Sequence, residues 1–168
     1  MPDELNRGLS FSALTKEQQV SFHPSPVPVL IKFEAGNCVY KWSDYGTLVN
    51  PKGKISEYWF SWKSLKVVDR EIDGFKEFRM RHHNRGGGVG RPQQAARALG
   101  AVTEQWNGMN AILKAQFLRP VWGFVGRIAA QRKLDDPKHP GEQENVYFIG
   151  GAYQVVIPNL TMEFIKKL

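Results

Sequence analysis

The sequence predicts an α+β fold, because strand-like runs come first, a long helical pattern follows, and strand-like runs return. Two short segments rich in β-branched and aromatic residues, Val29–Phe33 and Cys38–Trp42, stand before the helical pattern. Apolar residues at Ala95, Ala98, Leu99, Val102, Trp106, Met109, Ile112 and Leu113 recur at helical spacing and predict one long central helix. Val121–Ala129 and Tyr153–Ile157 then restore the strand pattern. A chain of 168 residues with 42% hydrophobic residues suits a single domain with its own core.

Residues 1–25 mix polar residues with scattered Leu and Phe and read as an N-terminal extension, with a short helix between Ser12 and Gln19. The domain proper is expected over 26–168. Three prolines between His23 and Pro28 enforce extended backbone and make a connector. Asn50-Pro-Lys-Gly53 is a strong turn signal. Ile55–Trp62 reads as a strand or a short packed helix, and Phe75–Arg81 alternates as a half-exposed strand. The glycine-rich run after His82 is a loop, and Pro92 suits the first turn of the central helix. Gly108 weakens that helix, and Arg119-Pro120 ends the helical region. Leu134–Glu144 is a polar loop, Asn145–Ile149 a strand, and Thr161–Leu168 a short closing helix capped by Thr161.

The net charge is +7. A basic surface of that strength concentrates nucleic acids, phosphorylated small molecules or acidic proteins, although a merely solvated surface carries such a charge as well. The single cysteine, Cys38, cannot form an internal disulfide, which fits a reducing compartment, and its apolar strand predicts a small buried side chain. No stretch approaches the roughly 18 apolar residues of a membrane span. The first ten residues hold Asp3, Glu4 and Arg7 without an apolar run, so no export signal is expected there.

Lys76, Arg79, Arg81, His82, His83, Arg85, Arg91 and Arg97 form the densest basic stretch. Arginine forks suit phosphates, so Arg79, Arg81, Arg85 and Arg91 are candidate nucleic-acid contacts; a charged solvent-facing surface is the plainer alternative. Gly86-Gly-Gly88 with Gly90 matches neither the P-loop nor the dinucleotide fingerprint, and a surface loop is its simpler reading. His82, His83 and His139 lack partners at metal-ligand spacing, so no metal is expected. Tyr58, Trp59, Phe60 and Trp62 are expected to supply core, with room for one ring to face a cleft.

The end of the chain carries the most specific signal. The stretch Pro120–Gln131 (PVWGFVGRIAAQ), a polar loop, and then Gly150–Pro158 (GGAYQVVIP) are similar to the tail of ADP-ribosyltransferase-fold, NAD-consuming toxins. The similarity is to the tuberculosis necrotizing toxin type and to polymorphic, Rhs-type toxin ends, and it covers residues 120–158, under a quarter of the chain. It implies a split β-sheet core of that family, with NAD as substrate and no metal. Gln154 would be the catalytic-strand residue, with Gly150 and Gly151 leading into it at the dinucleotide. Ser56 would be the hydroxyl that braces the cleft, and Tyr58 the ring that stacks on nicotinamide. The family's early-strand Arg or His is missing, and Lys32 and Lys41 are the cations available for the dinucleotide phosphates. Ala152 stands where arginine-modifying members carry a first Glu or Gln, which points away from protein arginine as acceptor.

What the resemblance implies chemically is cleavage of the nicotinamide–ribose bond through an oxocarbenium-like state, as in glycoside hydrolysis. Nicotinamide departs neutral, so no general acid is required. An amide fixes ribose hydroxyls but stabilises the cation less than a carboxylate does. Transfer of ADP-ribose to a macromolecule is the first reading, and the basic stretch suggests RNA. NAD glycohydrolysis on the same fold and a non-enzymatic nucleic-acid-binding module are the alternatives. Toxin ends of this type travel on larger secreted proteins, act in the cytoplasm of a target cell and are held by an acidic immunity protein.

Overall fold

The structure, a computed structural model, describes residues 3–43, 46–72, 74, 111–132, 147–148 and 151–168. Within these residues it is α+β and mostly antiparallel sheet, with one α-helix, α1 (Lys16–Val20), after a 3₁₀ turn at Phe11–Ala13. Seven strands form the main sheet: β1 (Val29–Phe33), β2 (Cys38–Ser43), β3 (Tyr58–Ser61), β6 (Ala111–Phe117), β7 (Val121–Arg127), β10 (Tyr153–Val156) and β11 (Ile165–Lys167). Their order is β1-β7-β10-β3-β2-β6-β11. Two small ribbons complete the strands, β4 (Leu65–Val67) with β5 (Arg70–Ile72), and β8 (Gln131–Arg132) with β9 (Tyr147–Phe148).

The strand order shows how the core is enclosed. β1 and β2 are joined by residues 34–37 alone, yet three strands separate them in the sheet. The same holds for β6 and β7, joined by residues 118–120. Both short links are possible only if the sheet curls back, so that β1 and β7 lie across the core from β2 and β6. Gly36 N–H bonds Phe117 O at 2.8 Å, and the Phe33 and Phe117 rings stand 5.7 Å apart, which closes that edge. The enclosed layer is apolar: Phe33, Val39, Trp59, Leu113, Phe117, Val121, Val125, Val155, Ile157 and Ile165 are all at most 2% exposed. Gly123 leaves room for the inward side chains of the neighbouring strand, because a Cβ there would stand 2.9 Å from Ile157 Cγ1 and 3.0 Å from Val155 Cγ1.

Two expectations fail. The helical pattern was to run through Ile112 and Leu113, but Ala111–Phe117 is a strand. Its burial alternates, with Leu113, Ala115 and Phe117 turned into the core and Ile112 out, and it pairs with both β2 and β11. A period of two overrides the accidental period of 3.6 once a sheet is there to bury alternate residues. The rest of the proposed central helix, residues 92–110, lies outside the described residues, as does the strand proposed at Phe75–Arg81. At the other end, Thr161–Leu168 is a turn followed by β11 and not a helix. Phe164 N–H bonds Thr161 O at 3.0 Å, and Ile165 then fills the core beside Phe117. Strand pairing covers the edge of β6, which a separate eight-residue helix would leave open.

Leu5 pairs along β7 and packs against the main core, and residues 9–22 pack onto the outer face of the sheet. Leu5 bridges Val121, and Phe22 bridges Ile128. Leu14 and Phe22, each 4% exposed, join Phe124 and Val156 in a second apolar cluster, against which Leu9, Phe11, Leu30 and Tyr58 pack. The short helix α1 is set by a capping box. Thr15 Oγ1 accepts from Gln18 N at 3.2 Å, and Gln18 Oε1 accepts from Thr15 N at 2.8 Å. Cys38 is half-buried, with its thiol donating to Gly36 O at 3.6 Å, because its side of β2 meets the rim and not the enclosed layer.

Candidate active site

The sheet forks at β3. Its first residues pair with β10, Tyr58 opposite Val156 and Trp59 opposite Val155. Its last residues pair with β2, Phe60 opposite Tyr40 and Ser61 opposite Val39. Neither ladder runs the length of the strand, so β10 and β2 each part from β3 at opposite ends. In the gap between β3 and β10 lies a narrow cleft lined by Tyr40, Phe60, Ser61, Tyr153 and Val155, with room for about one water, 10 Å³.

Paired residues of antiparallel strands share a face, and so do residues two apart on one strand. Tyr58 is opposite Val156, and Gln154 lies two residues before Val156. Tyr58 and Gln154 therefore stand on the same outer face of neighbouring strands, next to the fork. Gly151, at φ +91°, turns the chain into β10 and bonds Ile128 O at 2.9 Å. Ser56 stands just before β3; its hydroxyl accepts from Tyr58 N and donates to Tyr58 O, both at 3.3 Å. Ser56 O in turn accepts from Trp59 Nε1 at 2.7 Å. Tyr58 and Gln154 thus share one face of paired strands, and Ser56 is tied to Tyr58 but stands four residues along the chain from Phe60, the position level with Gln154.

This face is covered. Gln154 is only 5% exposed. Its Nε2 donates to Ser21 Oγ at 2.9 Å and to Ser21 O at 3.2 Å, which uses the amide's donors and leaves Oε1 as its acceptor. Nearby, Gln18 Nε2 donates to Glu57 Oε2 at 2.6 Å. Burial, with Glu17 and Glu57 adding negative charge, pushes the Tyr58 phenol up to about 12, so the ring stays neutral at physiological pH.

The two early lysines lie elsewhere. Lys41 is opposite Leu113 and so faces the enclosed layer, where its ammonium sits 5.7 Å from the centre of the Trp59 ring. Desolvation brings it down to about 8. Lys32 is opposite Trp122 on β1, four positions along β7 from Gly126, the partner of Gln154. It bonds Glu4 at 2.9 Å and Glu34 at 3.1 Å, and these contacts raise its pKa. Lys41 is on the opposite face from Gln154; Lys32 shares the outer face but stands those four positions away along β7, held by Glu4 and Glu34. Gly150, Arg79, Arg81, Arg85 and Arg91 lie outside the described residues.

Ser21, Gln18 and Glu57 complete the polar set on this face, and no motif marked them. The Thr15-x-x-Gln18 capping box was readable, but a long-range partner such as Ser21 for Gln154 leaves no local pattern. Among the described residues no three His, Cys, Asp or Glu side chains gather as a metal group would require, and no helix is long and apolar enough to cross a membrane. The chain matches no family model, no curated protein and no solved structure.

Proposed function

We propose that this chain is an NAD-dependent ADP-ribosyltransferase domain of the toxin type, working on the outer face of β3 and β10. The observation that carries the reading is that Tyr58 and Gln154 share the outer face of the paired strands β3 and β10 beside the fork of the sheet, with Ser56 bonded to Tyr58 on the side away from Gln154. The Gly-Gly-x-x-Gln resemblance singles out Gln154, and the same family's middle motif singles out Ser56, with Tyr58 as the ring for nicotinamide. A split in the sheet beside the Gln strand also accords with that family's architecture.

In the proposed reaction the bond between ribose C1′ and the nicotinamide nitrogen breaks, and nicotinamide takes the electron pair and leaves neutral. Gln154 Oε1 accepts from a ribose hydroxyl and fixes the sugar, while Tyr58 offers a neutral aromatic face to the departing ring. Glu57 is a carboxylate beside Tyr58 and supplies negative charge near the developing oxocarbenium ion. A nucleophile of the acceptor then adds to C1′ and releases its proton. The net charge of +7 favours a polyanionic acceptor, with RNA first, and an acidic inhibitor as a binding partner.

Incubation with NAD labelled in its adenylate half, with and without RNA, tests the reading. Nicotinamide release with label retained on RNA is the expected result. Free ADP-ribose without regard to acceptor replaces transfer by hydrolysis on the same face. Absence of nicotinamide release under both conditions overturns the enzymatic reading.

A further inference from the structure

The proposed catalytic face is closed by the chain itself. Phe11, Leu14 and Phe22 pack over Phe124 and Val156, with Phe11 ring centres 6.0 Å from Phe22 and 5.7 Å from Phe124. Polar groups fasten the same segment at two points, Gln18 to Glu57 and Ser21 to Gln154. Main-chain bonds hold its end: Ala129 N–H to Ser21 O at 2.9 Å and His23 N–H to Arg127 O at 2.7 Å. A ribose cannot reach Gln154 Oε1 across this cover while Gln154 is 5% exposed.

We infer that residues 9–23 form an autoinhibitory latch over the catalytic face, so that turnover requires this segment to lift from β3 and β10. The inference rests on the reading of that face as the NAD site. Two features separate the latch from an ordinary core layer. Its contacts with the proposed catalytic strands are partly polar and directed at Gln154 and Glu57 themselves. Its helix has only five residues and depends on a capping box, so it has little stability of its own. Such a segment opens by local unfolding more readily than the seven-stranded sheet beneath it.

The latch predicts that loosening it speeds the reaction. Gln18→Ala removes both the bond to Glu57 and half of the capping box, and leaves Ser56, Tyr58 and Gln154 in place. The full-length variant should exchange the amides of residues 9–23 faster, keep the protection of β3, β7 and β10, and release nicotinamide roughly 5- to 30-fold faster than the parent chain. Ser21→Ala, which removes one acceptor from the Gln154 amide, should act in the same direction by a smaller factor and serves if the first variant fails to fold. Faster exchange over 9–23 with unchanged nicotinamide release overturns the latch while the NAD reading stands. No nicotinamide release from any of the three proteins, with exchange over 9–23 increased, overturns the NAD reading and the latch with it.

Discussion

Val155 and Gln154 are neighbours in the chain and lie on opposite faces of β10, and both are buried: Val155 is 1% exposed and Gln154 5%. The inner face holds Val155 among Trp59, Val125 and Ile157, apolar neighbours that ask only for a fitting shape at that position. The outer face holds an amide whose donors must be satisfied, and a single serine from another part of the chain accepts from both. A buried hydrogen-bonded amide returns about 1 kcal/mol net at best, whereas an apolar residue of similar size gains comparable stability with no partner. Stability alone would therefore be served by a leucine at position 154. The contrast separates a position whose neighbours are all apolar from one where a hydrogen-bonded amide sits beside the Leu14–Phe22–Phe124–Val156 cluster without a gain in stability over an apolar side chain.

Substitutions can break or sharpen this contrast. The largest effect belongs to the inner face: Trp59→Ala should lower the unfolding free energy by about 3–5 kcal/mol, read from denaturant melts, because it empties the centre of the enclosed layer. Gly123→Ala should cost about 1–3 kcal/mol in the same assay, since its Cβ would press on Ile157 and Val155. On the outer face Gln154→Leu should change stability by only about 1 kcal/mol, the lost bonds to Ser21 being offset by apolar burial. A loss on the scale of Trp59→Ala would place Gln154 among the determinants of the fold.

Titration separates the faces as well. Lys41 has a folded pKa of about 8, below its unfolded value, so the folded chain releases that proton first. Its contribution to stability therefore rises as pH increases from about 8 towards the ordinary lysine value and is lost as pH falls back through 8. Lys41→Met should flatten that rise in thermal melts and stabilise the protein at pH 7, by roughly 1 kcal/mol. Tyr58 behaves in the opposite sense. Its phenol is raised to about 12, so stability falls as pH climbs from 10 towards 12, and Tyr58→Phe should remove that fall while leaving neutral pH nearly unchanged.

Legibility in the sequence follows the range of the interactions. Val29–Phe33, Cys38–Trp42, the Asn50–Gly53 turn and the Val121 and Tyr153 strands lie where the sequence predicts them, because β-branched runs and turn residues act locally. Ala111–Phe117 and Ile165–Lys167 were misread because each becomes a strand only through its partner. Gln154 and Tyr58 could be named from a short motif, but their position on one face depends on the register of β3 against β10. The cover over them depends on Ser21, 133 residues away from Gln154. Spacing along the chain carries no trace of such a contact, nor of the burial that tunes Lys41 and Tyr58.

The central claim is that Gln154 acts on NAD, and nicotinamide release per folded molecule measures it most directly, with parent and Gln154→Leu proteins compared at equal folded fraction. Removing the amide should reduce release by about 100-fold or more, the scale of losing one oriented polar group in a transition state, while the melting curve hardly moves. Equal rates from the two proteins would contradict the account and leave Gln154 as a buried fastener for the segment that covers it.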